Sequence, residues 1–386
     1  MFKTLSLNES LPESIVNIDE KERSNLFTWR GQFSPQLVES LILNYGSSDS
    51  VVYDPFLGSG TTLHEANLQG LSAYGCEINP AALAFAKIYE LSTNDIELNR
   101  QALVHIEKSI AAFLDGSAEL ELLHQALLTQ LHEAESKQVE VILSAFITAL
   151  DFEAKKLTLK RLLTTWGSLR QTVFEMKQSE RPIRAFHADA RKSPLLKDSV
   201  DLVVTSPPYI NVFNYHQNYR KSVESMGVDV LKVAKSEIGA NRKFRQNRFL
   251  TVVQYCMDMA QVFLDLHRIS RSNGKVIFIV GRESNVRHTA FKNAELIRHV
   301  ASLCGFKLEG EQHRVFNNKF GIDIFEEILR FSVLELPEVD IIESARDVGR
   351  TALSNALKYA DENVHDEIIS ALEKSLKIEP SPLLEI

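Results

Sequence analysis

"VVYDPFLGSGTT", residues 51–62, sets a short apolar run ahead of an acid, a proline, an aromatic and two glycines, followed by two threonines. An apolar run that ends in a glycine-bearing turn and passes into helix-forming residues reads as strand, tight turn and helix, the unit from which parallel sheets are built. The same reading recurs on either side. "SAYGCEI" (72–78), "IRAFHAD" (183–189), "VDLVVTS" (200–206) and "GKVIFIVG" (274–281) are further strand-like runs separated by helical patterns. "KLEGEQHRVF" (307–316) and "EEILRFSVLE" (326–335) lie close enough to pair as a terminal hairpin. The expectation is an α/β fold with a mostly parallel sheet and a terminal antiparallel hairpin.

Two stretches depart from this alternation. Residues 91–182 carry no strand signal, and Leu103, Ile106, Ile110 and Phe113 step by three and four, so a helical insertion is expected between the second and third strands. Residues 337–386 hold 11 acids against 5 bases with helical spacing, and "EPSPLLEI" at 379–386 reads as a frayed tail. The predicted organisation is 1–90 with the glycine turn, 91–182 as insertion, 183–336 as the remainder of the α/β domain, and 337–386 as an acidic helical tail.

Composition bounds the function. With 386 residues, 44% of them hydrophobic, the chain can bury a sizeable core. No apolar stretch approaches the roughly 20 residues of a membrane helix, and the first residues lack a signal-peptide pattern, so a cytoplasmic protein without a membrane partner is expected. Cys76, Cys256 and Cys304 stand far apart, which suggests buried thiols, neither a disulfide framework nor a metal site. A net charge of −8 argues against a protein that coats nucleic acid, while leaving room for a local basic face.

The turn excludes two common ligands. A phosphate-binding P-loop needs a lysine, which "GSGTT" lacks, and Leu63 stands where a dinucleotide fingerprint requires its third glycine. A nucleoside without phosphates fits better. Gly58 and Gly60 would let backbone approach it, a helix starting near Thr61 would present free amides, Asp54 would offer a carboxylate to a cation, and Glu77 would accept from both ribose hydroxyls. A second motif, "TSPPY" at 205–209, places two prolines after an apolar strand, where ligands of open α/β sheets bind. Its prolines remove two N–H donors and fix carbonyl oxygens in set directions.

Together, "DPFLGSGTT" and "TSPPY" resemble the cofactor and catalytic motifs of DNA amino-methyltransferases, whose sheet is Rossmann-like and whose cofactor is S-adenosylmethionine. "FTWRGQFSPQLVESLI" (27–42) is similar to the segment such enzymes set against the methionine end of the cofactor, through Phe33 and Pro35. The resemblance implies that Asp54 faces the cofactor's ammonium and that Phe56 packs against the cofactor. It further implies that Pro55, Gly58, Gly60, Thr61 and Thr62 complete the turn, that Glu77 holds the ribose and that Asp189 accepts from the adenine amine. It gives catalysis to Ser206, Pro207, Pro208 and Tyr209: Ser206 Oγ and the Pro207 carbonyl would accept from a base amine and Tyr209 would stack on a base flipped from duplex DNA. Carbon-5 methylation of cytosine is excluded, since no cysteine follows a proline.

Residues 210–249 carry eight Lys or Arg against three acids, with Phe213, Tyr215, Tyr219 and Phe244 interleaved. This run is expected to contact double-stranded DNA through Arg242, Lys243, Arg245 and Arg248, a solvated face being the competing account. The insertion, with Lys155, Lys156, Lys160 and Arg161, would either assist there or serve a homodimer. The resemblance also implies a restriction-modification context and a cognate endonuclease. The same resemblance, through the serine at the head of the Pro-Pro-Tyr loop, places N4 of cytosine ahead of N6 of adenine as target. An RNA base amine stays open as a more distant alternative.

Overall fold

The sheet begins where the quoted stretch begins. In a computed structural model that describes residues 1–386 except 30, 33, 153–155, 212–213, 241–242, 318–320 and 386, nine strands form among the described residues. They are β1 (Val51–Asp54), β2 (Ser72–Glu77), β3 (Ile183–His187), β4 (Val200–Thr205), β5 (Ser270–Gly281), β6 (Glu283–Val286), β7 (Thr289–Lys292), β8 (Phe306–Asn317) and β9 (Asp323–Val333). Seven make one sheet in the order β3-β2-β1-β4-β5-β9-β8. The first five are parallel, and β9 runs antiparallel to both β5 and β8. The mostly parallel sheet with its terminal hairpin is thus as expected, while the small β6-β7 hairpin was not foreseen.

The order fixes where a ligand can sit. From β1 the chain steps outward to β2 and β3 on one side and later to β4 and β5 on the other, so direction reverses between β1 and β4. Loops leaving two such neighbours diverge above and below the sheet and open a crevice at its carboxyl edge. Those two loops are the two motifs. β1 ends at Asp54 and β4 at Thr205, and Val52 pairs with Leu202, which brings both loops to the same edge.

Both faces of the sheet are covered. On one, the insertion helices Ile96–Ser109, Lys137–Leu150 and Leu159–Phe174 bury Leu103, Ile106, Phe146 and Trp166 in the same core as Leu63, Ala73, Phe85 and Ile183. The insertion is therefore built into the sheet's own core. On the other face, the helix Leu250–Ile269 is buried along most of its length beside Phe278 and Phe331. The acidic tail supplies the next layer, its helices Ile341–Ala356 and His365–Lys374 joining this core through Leu353, Ala356 and Ile368. Contact is close enough that a Cβ on Gly349 would stand 2.6 Å from Val253 Cα.

The tail's end corrects an expectation. Residues 379–384 are docked rather than frayed: Ser381 is buried, and its N–H donates to Asp258 Oδ1 at 2.6 Å. Polar groups on other elements hold this backbone in place of a helix or strand ladder. Hydropathy has no means of registering such an anchor.

Candidate active site

At the β1/β4 crevice lies a cleft of about 860 Å³ open to solvent. Its lining includes four of the places that the sequence singled out. The glycine turn supplies Pro55, Phe56, Gly58 and Thr61, the end of β2 supplies Glu77, the loop after β3 supplies Asp189, and the proline loop supplies Ser206 and Pro208. Eight of the expected residues thus meet in one cavity. Trp29, Gln32, Asn79, Tyr215 and Glu237 also line it and were not among them. Trp29 and Gln32 lie in the 27–42 stretch and Tyr215 and Glu237 in the 210–249 stretch, so the segments were legible while the residues within them were not.

Glu77 is set up as an acceptor. Its Oε2 takes the Gly58 N–H at 2.8 Å and its Oε1 the Asn79 N–H at 2.7 Å. A carboxylate offers about four lone-pair positions, so two remain for hydroxyl groups in the cavity. Burial pushes its carboxyl up to about 7, against the two amide hydrogen bonds, with like-charge repulsion from Asp54 and Glu237 adding to the rise. Gly58, at φ +55°, adopts the left-handed backbone that presents its amide to Glu77.

The other two carboxylates of the lining are already partnered. Asp189 Oδ1 accepts from the Arg191 amide at 3.0 Å and Nε at 2.9 Å, and Oδ2 from Arg191 Nη2 at 2.6 Å and the Leu384 amide at 3.1 Å. Four donors fill its lone pairs. The expected acceptance from an adenine amine therefore meets a carboxylate with no position to spare. Glu237 accepts from His216 Nδ1 at 2.7 Å and takes the His216 amide as well. Among the described lining residues there is no Lys, Arg or His, and Glu77 meets only backbone amides.

Asp54 lies beneath the cavity instead of facing into it. It is fully buried, accepting from the Phe56 amide at 3.0 Å, Thr62 Oγ1 at 2.7 Å and Thr205 Oγ1 at 2.6 Å. In this position it ties the glycine turn, the following helix and the end of β4 together. Burial lifts its carboxyl to about 6 against these three hydrogen bonds. Thr62 is engaged there with it. Gly60, at φ +92°, is shaped by packing: a Cβ would meet the Tyr89 ring at 2.7 Å and Ala86 Cα at 3.0 Å. Pro35 opens the helix Pro35–Tyr45 and faces a different hollow, with Arg23 and Glu65. Phe33 lies outside the described residues.

In the proline loop, Ser206 Oγ lies 3.5 Å from the Tyr209 hydroxyl, which donates to Glu326 Oε1 at 3.4 Å; Glu326 in turn accepts from Arg314 at 3.0 Å. The Tyr209 ring rests against Gly281, where a Cβ would approach to 3.1 Å. Pro207 is buried between the two cavity-lining residues of the loop. Tyr215 and Tyr219, expected on the nucleic-acid side, both stack on Trp29, at 6.5 Å and 6.2 Å between centroids, and of the two Tyr215 lines the cavity beside Trp29.

The basic run divides. Arg245 and Arg248 are exposed, whereas Lys243 turns inward and donates to Ser381 Oγ. Arg242 lies outside the described residues, as do Phe213 and Lys155. Arg220, Lys235 and Arg245 line a groove beside the cavity together with Phe244. In the insertion, Arg161 donates to the Leu150 carbonyl. Among the described residues no His/Cys/Asp/Glu cluster suits a metal, and no helix is long and apolar enough to cross a membrane.

The family comparison falls on the part of the chain that holds the glycine turn. Residues 5–87 match the DNA methylase family. The chain is 24% identical over 294 residues to the type II methyltransferase M.BsoBI of Geobacillus stearothermophilus, covering 58% of this chain and 57% of that protein. It is 32% identical over 91 residues to the type II methyltransferase M.MjaII of Methanocaldococcus jannaschii, covering 22% and 17%. The chain thus spans less than two thirds of the length of these relatives. A SAM-dependent methyltransferase structure from Methanosarcina mazei aligns with 76% of this chain and 96% of its own, at 10% identity and a TM-score of 0.35. With the glycine turn inside the matched region and type II methyltransferases as relatives, the resemblance to the DNA amino-methyltransferases stands.

Proposed function

We propose that this chain is a DNA methyltransferase that moves a methyl group from S-adenosylmethionine to the N4 amine of a cytosine flipped from duplex DNA. One observation carries the reading: the glycine turn and the Ser-Pro-Pro loop form one cavity at the β1/β4 reversal, and its unpaired carboxylate is Glu77. The described lining residues offer a phosphate no cationic side chain. The cavity does suit a nucleoside bearing positive charge, since Glu77 keeps two acceptor positions for a ribose and adds negative potential.

When bound, S-adenosylmethionine supplies a sulfonium methyl that is already a strong electrophile. The residues' task is the amine, whose lone pair is delocalised into the ring. Ser206 Oγ and the Pro207 carbonyl would accept hydrogen bonds from its two N–H groups and draw the nitrogen toward a tetrahedral shape, one of these protons would pass to water as the nitrogen takes the methyl, and fixed alignment supplies further rate. Asp54 holds the two motif loops at constant spacing through Thr62 and Thr205. Phe56 and Trp29 would offer apolar surface to the ligand, and the exposed Arg245 and Arg248 would contact the phosphate backbone. The relatives' names include type II methyltransferases, so a cognate endonuclease and a cytoplasmic setting belong to the same proposal.

The test is incubation of the chain with S-adenosylmethionine and duplex DNA, followed by mass spectrometry of the digested nucleosides. N4-methylcytosine is expected. N6-methyladenine without it would overturn the choice of base, and methylation of RNA alone would overturn the substrate.

A further inference from the structure

Residues 379–384 cross a buried ionic cluster that forms the back of the cavity wall. The Arg191 side chain is fully buried and grips Asp189 at 2.6 Å, reaches Asp258 at 3.3 Å, and donates to the carbonyls of Ser381 at 2.6 Å and Pro382 at 2.8 Å. Ser381 is itself bonded to Asp258 through both its N–H and its hydroxyl, Gln254 donates to the Glu379 carbonyl at 2.9 Å, and the Leu384 amide closes on Asp189 at 3.1 Å. Pro380 and Pro382 restrict this stretch before it docks, which lowers the entropy lost in ordering it.

Arg191 meets both sides of the cavity. It follows Asp189 and Ala190, which line one side, and its Nη2 lies 3.4 Å from the carbonyl of Ser236, which with Ile238 lines the other. A guanidinium presents five N–H donors in a rigid fork, so its position is set by every acceptor it satisfies. Two of those acceptors are strap carbonyls. The strap also reaches the basic run, because Lys243 donates to Ser381 Oγ.

We propose that residues 379–384 are a positioning strap for the cofactor cavity: by fixing Arg191 they set the spacing of its two walls, and through Lys243 they connect it to the DNA-facing run. This rests on the reading of the cavity as the S-adenosylmethionine site. Removal of the strap leaves Arg191 paired with Asp189 and Asp258, with water available to replace the lost carbonyls, so Arg191 does not become an unpaired buried charge, while Lys243 exchanges Ser381 Oγ for water.

The experiment compares the full chain, a truncation after Glu379 and Ser381→Ala, by calorimetric titration with S-adenosylmethionine, thermal melting, steady-state kinetics and amide exchange. In the truncated chain the dissociation constant is expected to rise about tenfold, the size of a typical coupling between sites. KM for the cofactor should rise with it while kcat at saturation holds, and exchange should quicken at Ala190 and Ile238. Ser381→Ala should move the same way by less, and decides the matter should the truncation not fold. A lowered melting temperature with unchanged affinity and exchange in the folded variants would overturn the strap and leave it a stability element. Failure of the full chain to bind S-adenosylmethionine would refute the cavity assignment itself, and the strap with it.

Discussion

Affinity for S-adenosylmethionine should depend on pH through Glu77, and its size follows from the site. Burial lifts this carboxyl from 4.5 to about 7, so near neutrality a large share of the unliganded protein is protonated there. A cation and two ribose hydroxyls prefer the carboxylate, so binding releases a proton and strengthens as pH rises. For one such group the apparent dissociation constant scales as 1 + 10^(pKa − pH), which between pH 7.5 and pH 6.0 amounts to about eightfold weakening. The window ends at 7.5 because an α-amino group on the ligand itself titrates at about 7.7–8.0. Glu77→Gln keeps the shape, removes the titration and loses charge-assisted hydrogen bonds of about 1.5–3 kcal/mol, hence about 10- to 150-fold in affinity.

Calorimetry at pH 6.5 in two buffers of different ionisation enthalpy measures the released proton directly. Trp29 lines the cavity and Trp166 is buried in the insertion core, so Trp166→Phe leaves a fluorophore at the site as an independent titration. A flat wild-type affinity between pH 6.0 and 7.5, or a Glu77→Gln variant that keeps the eightfold dependence, would refute the reasoning. The same shift has a stability consequence of opposite sense. Because the folded pKa lies above the unfolded one, the unliganded fold binds the extra proton between about 4.5 and 7, and stability from this group is lost as pH rises through that window.

Other tests address separate parts. Ser206→Ala and Tyr209→Ala should abolish methyl transfer and leave cofactor affinity within about twofold, since neither is expected to hold the cofactor; full turnover in Tyr209→Ala would remove its role at the base. Neutralising Arg245 and Arg248 together should reduce the logarithmic salt slope of DNA binding by about 1.8, at about 0.9 per phosphate contact, whereas an unaltered slope would return the run to a solvated face. Gly349→Ala should lower stability by about 1–3 kcal/mol in denaturant unfolding, because the new Cβ overlaps Val253 backbone at 2.6 Å; an unchanged midpoint would show that the tail helix shifts freely.

The strands and the meeting of the two motifs were legible because both follow local rules. Period and turn chemistry mark β1, β2, β3, β4 and β5 with boundaries only a few residues off, and a parallel sheet that reverses between β1 and β4 leaves the motif loops no other edge to occupy. The β6-β7 hairpin was missed because it turns through Arg287 and His288, two non-glycine residues at positive φ that give no turn signal in sequence. The tail was misread for a related reason. "EPSPLLEI" has no periodicity, and its docking depends on Asp258 and Arg191, remote in sequence and silent until the fold assembles.

Glu77 was singled out from its place in sequence, but that Asp54 and Asp189 have little room for a ligand was not legible, because a carboxylate's capacity depends on how many of its lone pairs the fold has already used. Asp54, Glu77 and Asp189 look alike in sequence, each an acid at the end of a strand-like run. Three donors hold Asp54 and four hold Asp189, two of these four coming from the Arg191 side chain and one from the C-terminal strap. Only Glu77 keeps half its capacity, with both its donors supplied by backbone amides of the neighbouring turns. Those amides also explain why Glu77 can lie at the cavity without a cation beside it: they supply positive dipoles that orient the carboxylate while leaving its net charge uncancelled. An arginine in their place would neutralise the group before any ligand arrived. The sheet edge therefore presents one uncompensated carboxylate next to an acceptor-rich proline loop, a pairing in which a positively charged donor of a methyl group and a hydrogen-bonding amine can be held side by side.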